Sequence, residues 1–251
     1  MKEKMLNKQR IICGSEGSGK TFFAENGKGS NIRKHNFVYN LGKEKDFENY
    51  ELIELLTNED ALNYVTNEKK EFKKNPITLF EYGEFDEEEI FKLQGYKHLT
   101  NVKAHAYDDI RGLRDQEVFF NQMLKLGGDT RFIYDDATST FKDGLSKQFK
   151  KLMTKKRHVE NGLGINIDIL VHELNKVSSD VFTYTHQIVM FNMITIPDPK
   201  DIDPKLKQKL IKAYEYLKTL PEYYSLTIDA VNIDSDVIIT DKDGNERTQK
   251  W

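Results

Sequence analysis

Cysteine, tryptophan and proline are scarce in this chain of 251 residues, which has one cysteine, one tryptophan and five prolines. The single cysteine, Cys13, excludes a framework of intramolecular disulfides and is typical of a reducing compartment. No apolar stretch approaches the roughly 20 residues that a bilayer-spanning helix needs, and no secretory signal opens the chain. The six histidines lack zinc-ligand spacing, and there is no cysteine pair to help them. We therefore expect a soluble protein of the cytoplasm, or of a particle assembled there.

Charge is abundant but nearly balanced. Charged residues make up 31% of the chain and hydrophobic residues 38%, with a formal net charge of −3. This balance argues against a nucleic-acid coat over the whole protein, although it leaves a local basic surface open. The length suits one large α/β domain, or a domain with a small appendage, and is enough to bury a sizeable core.

Short apolar runs alternate with amphipathic stretches through most of the chain. Strands are predicted over residues 10–13, 35–40, 76–82, 102–107, 131–135, 165–172 and 187–192. Helices are predicted over residues 46–74, 86–93, 116–126 and 144–156. This alternation favours a doubly wound α/β fold with a mostly parallel central sheet and helices on both faces.

The pattern changes after Ile196, where three prolines follow one another closely at positions 197, 199 and 204. A basic helix is predicted over residues 205–220, and Pro221 would end it. Residues 237–240 then enter a hairpin that turns at residues 241–245. We therefore predict a core over residues 1–198 and a C-terminal helix-and-hairpin appendage over residues 199–251.

The strongest motif is a glycine-rich stretch that fits G-x-x-x-x-G-K-[ST] at every fixed position. Its residues are Gly14, Ser15, Glu16, Gly17, Ser18, Gly19, Lys20 and Thr21. An apolar run precedes it and a helical stretch follows, which is the context that a phosphate-binding loop (Walker A) requires. Lys20 would reach the β- and γ-phosphates, and the Thr21 hydroxyl would bind Mg²⁺. The alternative, a glycine-rich turn that matches by chance, is disfavoured by this context, so we predict binding of a nucleoside triphosphate.

A second acidic site is predicted where the run from Arg131 to Tyr134 ends in two carboxylates. Asp135 would bind Mg²⁺ (Walker B), and Asp136 would polarise the attacking water. The pair favours an ATPase over a kinase or a switch GTPase, which generally needs only the first acid. A strand that ends in a helix cap is the structural alternative. Rival metal acids are Asp108, Asp109 and Asp198.

Residues 129–193 run in a characteristic order: strand, two aspartates, basic helix, Arg157-His158, apolar strand, His172 and a further apolar strand. This order resembles the genome-packaging branch of the FtsK/HerA superfamily of P-loop ATPases. That branch includes the packaging ATPases of poxvirus-type and membrane-containing viruses and the related occludens-toxin-like phage ATPases. The resemblance covers roughly residues 8–196, and only its two Walker motifs are specific.

The resemblance implies an ATP-hydrolysing, DNA-translocating ring that packages a viral genome, located in the host cytoplasm or the virion. It implies that Asp136 is the catalytic base and that His172 stands where the family has a sensor, usually glutamine. The family's arginine after the sensor is missing, so an arginine acting in trans must come from elsewhere. Arg157 is preferred for this role over Arg111 and Arg114. A capsid-vertex or membrane protein is a further expected partner.

DNA contact needs cations, and the predicted helix over residues 144–156 carries lysines at three- and four-residue steps. The predicted DNA-binding residues are Lys147, Lys150, Lys151 and Lys155. Their contacts with phosphates would be independent of sequence and sensitive to salt. A solvated surface helix explains the same pattern equally well.

Three other functions stay open. One is a host plasmid-transfer or chromosome-translocating ATPase, although such proteins usually carry membrane segments or larger accessory domains. A phosphotransferase such as a nucleoside kinase would need an arginine-rich lid, and no such segment is evident. A nucleotide-dependent assembly or switch protein would bind the nucleotide but turn it over slowly. Asn175 begins a stretch like the guanine-specificity motif, but Ser178 replaces its aspartate, which favours adenine.

Overall fold

The computed structural model describes residues 8–27, 35–40, 47, 50–53, 55–56, 79–80, 101–105, 130–138, 145, 147–155 and 164–251. The strands in these ranges are β1 (Gln9–Cys13), β2 (His35–Asn40), β3 (Glu51–Ile53), β4 (Leu55–Leu56), β5 (Leu79–Phe80), β6 (Asn101–His105), β7 (Thr130–Asp135), β8 (Ile165–Val171), β9 (Gln187–Met190), β10 (Ser225–Asp229), β11 (Val237–Thr240) and β12 (Glu246–Gln249). The α-helices are α1 (Lys20–Asn26), α2 (Lys147–Lys155), α3 (Ser179–Thr183) and α4 (Pro204–Leu217), with a 3-10 turn at Leu174–Lys176. In these ranges, no helix has the length and apolar character to span a membrane.

The chain divides into two compact units. Unit 1 contains the described residues within 1–32, 133–145 and 166–251, and unit 2 contains those within 33–132 and 146–165. Whether residue 198 separates a core from an appendage stays a prediction.

Unit 1 is built on a sheet in the order β12-β11-β10-β9-β1-β8, followed by the carboxyl half of β7. Strand β1 is parallel to both β8 and β9, with Cys13 opposite Val171 on one side and Met190 on the other. Every residue of β1 and of β8 is buried, as expected for parallel strands covered on both faces. Because these strands end at the same edge, the loops that follow them meet there.

The C-terminal hairpin extends this sheet in antiparallel fashion. Strand β10 pairs with β9 and β11, and β11 pairs with β12. The hairpin with its turn at residues 241–245 is as predicted, whereas β10 was not predicted. Its five residues, Ser-Leu-Thr-Ile-Asp, alternate polar and apolar side chains, but so short a stretch is fixed as a strand by pairing on both edges.

Helix α4 confirms the predicted basic helix but begins earlier than expected. Pro204 is its first residue, not a break, because the first helical position needs no backbone N–H. Asp203 caps the helix by accepting hydrogen bonds from the backbone nitrogens of Lys205, at 2.8 Å, and Leu206, at 3.3 Å. Its apolar face is buried along the full length of the helix.

Strands β2, β3 and β6 of unit 2 form a parallel set, with β6 between the other two, and β4 pairs with β5. The helix predicted over residues 46–74 is therefore wrong at β3 and β4. The apolar stripe there was irregular, and pairing of β3 with β6 outweighs the weak helical pattern. Helix α2 confirms the prediction over residues 144–156. Its Phe149 and Leu152 are buried, and the Phe149 ring lies 6.5 Å from that of Phe132.

The predicted strands at 10–13, 35–40, 102–107, 131–135, 165–172 and 187–192 all correspond to observed strands, and 76–82 contains β5. The helices predicted over residues 86–93 and 116–126 lie outside the described residues. Cys13 is completely buried, as predicted, and burial raises the pKa of its thiol.

Candidate functional site

The glycine-rich loop connects β1 with α1 at the carboxyl edge of the sheet in unit 1. Gly17 and Gly19 have φ angles of 73° and 98°, which favour glycine because it lacks a Cβ atom. Gly14 is required for another reason, since a Cβ there would lie 2.6 Å from the Ser18 hydroxyl oxygen and 2.7 Å from the Phe191 Cβ. The motif thus adopts the strand–loop–helix arrangement that its sequence predicted.

Two neighbouring strand ends anchor the start of this loop. The Gly14 nitrogen donates to the Val171 carbonyl at 3.3 Å, and the Ser15 nitrogen donates to the Asn192 carbonyl at 2.9 Å. The hydroxyl oxygen of Ser15 also accepts a hydrogen bond from the Ile194 nitrogen at 3.1 Å. The loop is therefore held between the ends of β8 and β9, and it borders an open cavity of about 460 Å³.

Lys20 is folded back onto the loop. Its side chain is buried, and Nζ donates to the carbonyl oxygens of Gly14 at 2.7 Å and Ser15 at 2.8 Å. Nζ also lies 3.4 Å from Nδ1 of His172. Burial lowers the pKa of the Lys20 ammonium, and the negative charge of Asp135 is the largest opposing influence.

The two predicted carboxylates lie at the end of β7. Asp135 is buried as the last residue of the strand, whereas Asp136 is half exposed and has a left-handed backbone with φ 48°. Oδ1 of Asp136 lies 3.2 Å from Nε2 of His172. The hydroxyl of Thr138 accepts a hydrogen bond from the His172 backbone nitrogen at 2.8 Å, which ties the two chain segments together.

His172 follows β8 directly and therefore stands between Lys20 and Asp136. A neutral imidazole has one nitrogen that donates and one that accepts. Because the Lys20 ammonium can only donate, Nδ1 is the acceptor and the proton belongs on Nε2, facing the Asp136 carboxylate. The structure thus brings together three residues that the sequence predicted separately.

Other predicted residues have different positions. Arg157 and its alternatives Arg111 and Arg114, together with the rival acids Asp108 and Asp109, lie outside the described residues. Asp198 is exposed and pairs with Lys207 of α4. Asn175 supports the same segment, since its side-chain oxygen accepts from the Asp198 nitrogen.

The predicted DNA-binding lysines lie on α2 in unit 2. Lys147, Lys150 and Lys151 are exposed there, and Lys155 is the last residue of the helix. Thr21, the predicted magnesium ligand, lies elsewhere, half-buried in the first turn of α1. Among the described side chains, Lys147, Lys150 and Lys151 form a cationic surface on an amphipathic helix, as the spacing predicted.

Sequence reasoning missed three residues at the site: Thr138, Asn192 and Tyr223. Thr138 follows the acidic pair, and Asn192 follows β9, so the strand-end rule that found Asp135 and Asp136 also applies to them. Tyr223 has no sequence signal. It reaches the loop from the segment before β10, which was not predicted, and its ring carbon Cδ1 lies 3.3 Å from where a Cβ on Gly19 would be.

The arrangement can bind and polarise a phosphate chain. Glycine-rich backbone and an ammonium suit phosphate oxygens, while a threonine hydroxyl and a buried carboxylate are hard oxygen donors of the kind that Mg²⁺ prefers. Thr21 and Asp135 therefore fit a magnesium site that is completed by phosphates. Asp136 is exposed enough to reach water.

No family model matches the chain, and no curated protein matches it. Solved structures do match it. The genome-packaging NTPase B204 of Sulfolobus turreted icosahedral virus 2, in complex with ATP-gammaS, superposes with a TM-score of 0.58 at 15% identity, covering 93% of this chain and 96% of that one. Its AMPPCP complex gives a TM-score of 0.56 at 14% identity over the same shares. The DNA-packaging ATPase B204 of Sulfolobus turreted icosahedral virus gives 0.50 at 18%, again over 93% and 96%. The chain therefore has the fold of a P-loop NTPase, with a mostly parallel α/β sheet.

Proposed function

We propose that this chain is an ATPase that translocates DNA while a viral genome is packaged, and that it acts as a ring of identical subunits. The observation that carries the proposal is the meeting of Lys20, His172 and Asp136 beside the phosphate loop. The fold supports it, since the similar structures are genome-packaging NTPases, two of them solved with ATP analogues.

ATP would bind with its phosphates along residues 14–21. Lys20 would leave its loop carbonyls and contact the β- and γ-phosphates. Thr21 and Asp135 would hold Mg²⁺, which neutralises charge on the phosphate oxygens when it is bound. The left-handed glycines at positions 17 and 19 keep the loop open toward the ligand.

Hydrolysis needs a group that orients water and takes its proton, and Asp136 is the residue we assign to this role. His172 would hold the Asp136 carboxylate through Nε2 and sense the phosphate end through Lys20. We further propose that Arg157 of a neighbouring subunit neutralises charge on the transferred phosphoryl group. An arginine supplied in this way is worth about 10³–10⁵ in rate, which would make turnover depend on assembly.

DNA would be bound by the cationic face of α2. Three of its four predicted lysines are exposed and its apolar residues face inward, so the solvent-facing side of the helix is cationic. Contacts of this kind do not depend on sequence, as a packaging motor requires. The virion or the host cytoplasm would be the site of action, with a capsid-vertex or membrane protein as docking partner.

Steady-state ATP hydrolysis tests the proposal, measured with and without single- or double-stranded DNA at concentrations that assemble oligomers. We expect DNA to stimulate turnover, and salt to remove the stimulation. Charge reversal at Lys147, Lys150 and Lys151 should abolish the stimulation but keep basal turnover. Reversal at Lys205, Lys207 and Lys212 on α4 is the matched control and should change neither. Turnover that is indifferent to DNA would contradict translocation and favour a switch protein or a kinase.

A further inference from the structure

We propose that a cavity of about 650 Å³ between α1 and the β11–β12 turn is the nucleoside subsite of this protein, with Tyr223 as the platform on which the base stacks. The inference rests on the proposed nucleotide binding and extends it to the base. It assigns to the C-terminal hairpin, residues 237–249, a part in the site.

Two cavities border the phosphate loop, and they differ in character. The smaller one is lined by loop residues Ser15–Ser18, whose backbone nitrogens suit phosphate. The larger one is lined by the aromatic residues Phe22, Phe23, Phe191 and Tyr223 and by the turn at residues 241–244. Tyr223 borders both cavities, so they adjoin at its ring, and the proposal places the phosphates beside the loop and the nucleoside in the larger cavity. The larger cavity is within the volume range of small-molecule sites, about 300–1,000 Å³.

The aromatic side chains form an inner wall and a rim. Phe23 and Phe191 pack edge to face, with ring centroids 5.5 Å apart. Phe22 and Tyr223, in contrast, are 65% and 53% exposed. Large aromatic surfaces left in water beside a phosphate loop are the feature that a planar, partly apolar base would cover.

The position of Tyr223 is held by unusual backbone. Its φ is 65°, in the left-handed region that a bulky residue rarely adopts, and such conformations persist where surrounding structure imposes them. Its ring lies against Gly19, where a Cβ would come within 3.3 Å of Cδ1. Glycine at position 19 therefore allows both the left-handed loop conformation and the close packing of the tyrosine ring.

A rigid polar turn forms the opposite wall. One carboxylate oxygen of Asp241 accepts hydrogen bonds from the backbone nitrogens of Asp243, at 2.9 Å, and Asn245, at 2.8 Å, and the other accepts from the Asn245 amide at 2.9 Å. The side chains of Lys242 and Asp243 are left exposed at the cavity, together with Asn26 of α1. These groups supply donors and acceptors for a base edge or for ribose hydroxyls.

The test compares binding of ATP with binding of inorganic tripolyphosphate, both with Mg²⁺, because tripolyphosphate has the phosphates but no nucleoside. Tyr223→Asn keeps a residue that tolerates a left-handed backbone while removing the aromatic face. We expect this variant to weaken ATP binding by about 5- to 150-fold and to leave tripolyphosphate binding unchanged. Tyr223→Phe should retain ATP binding, and Val231→Asn, which replaces an exposed apolar residue outside the cavity, should bind both ligands normally.

Unchanged ATP affinity in folded Tyr223→Asn would overturn the assignment, and so would an equal loss for both ligands. Wild-type protein that binds ATP no more tightly than tripolyphosphate would overturn the nucleoside subsite while phosphate binding stands. Lys20→Ala should lose both ligands. Wild-type protein that binds neither ligand would refute the proposed nucleotide binding itself.

Discussion

The Nε2 atom of His172 lies 3.2 Å from Oδ1 of Asp136. The opposite nitrogen of the same ring lies 3.4 Å from Nζ of Lys20, so one imidazole connects the lysine of the glycine-rich loop with the acid at the end of β7. Because Lys20 is also bonded to two loop carbonyls, an arriving phosphate must draw the ammonium away from all three acceptors. We therefore expect phosphate binding at the loop to change the environment of Asp136.

Replacing Asp136 with asparagine tests its role as the base. Asparagine has nearly the same shape and tolerates the left-handed backbone at φ 48°, so the fold should persist. We expect kcat to fall by about 10²–10⁴, since the amide cannot accept the proton of water, whereas ATP affinity should be unchanged. Single-turnover hydrolysis and equilibrium binding of ATP measure the two effects.

The matched control for this substitution is Asp180→Asn, at an acidic residue in the first turn of α3. It should lower neither kcat nor affinity. If Asp136→Asn hydrolysed ATP at the wild-type rate, Asp136 would not be the base, and a switch function with slow turnover would gain support.

Variants of His172 separate a hydrogen-bonding role from a purely structural one. Glutamine can donate one hydrogen bond to Asp136, as the imidazole does through Nε2, whereas alanine cannot. We expect His172→Ala to lower kcat by about 10²–10³, in line with the loss of one oriented donor, and His172→Gln to retain most of it. Single-turnover rates decide the matter, with thermal unfolding as a check on stability. Equal rates for the two variants would refute the donor role.

The lowered pKa of Lys20 predicts weaker ATP binding at alkaline pH. Burial moves this pKa below its ordinary value of 10.5, so the free protein loses the ammonium at a lower pH than an exposed lysine would. Phosphate binding needs the charged form, which is fully present below the lowered pKa and disappears as the pH rises through it. The Kd for ATP should therefore begin to increase at a lower pH than the pKa of 10.5 of an exposed lysine would give.

Lys20→Arg is the control for this pH dependence, because arginine stays charged throughout the range. At low pH the Kd of this variant for ATP should be higher than that of the wild type, but it should change little as the pH rises. A parallel rise in both proteins would assign the titration to another group.

Local sequence was enough to predict the phosphate loop. The glycines at positions 17 and 19 have φ above +70°, and the strand and helix around them match the motif's context. It was also enough for the hairpin turn at residues 241–245, where Asp241 organises its own backbone. Both features depend on residues that are close along the chain.

Features that depend on distant residues could not be predicted. Strand β10 exists because β9 and β11 pair with its two edges, and β3 exists because β6 pairs with it in a stretch with a weak helical pattern. Tyr223 reaches Gly19 from some 200 residues further along the chain. The same limit holds for the contact between His172 and Asp136, although Asp136 was predicted from the end of its strand and His172 from the family resemblance.

A buried ion pair beneath the phosphate loop gives a prediction about stability. Arg10 of β1 and Asp168 of β8 are opposite in register and form two hydrogen bonds, of 2.7 Å and 2.6 Å, with both side chains nearly inaccessible. The Arg10 guanidinium also lies 5.8 Å from the centre of the Phe23 ring. Although burial alone would lower the pKa of Arg10, the charge of Asp168 and its hydrogen bonds raise it. Each of the two side chains therefore stabilises the charge of the other, and removal of one leaves the remaining charge buried without a counterion.

Asp168→Asn should lower the free energy of unfolding by about 3–5 kcal/mol, because it leaves the Arg10 charge buried without its counterion. The double variant Arg10→Met, Asp168→Leu removes both charges and keeps apolar volume against Phe23, so its stability should return to near that of the wild type. Urea unfolding of the wild type, Arg10→Met, Asp168→Leu and the double variant closes a thermodynamic cycle. If the two single losses simply added in the double variant, the ion pair would contribute nothing to holding β1 and β8 in register.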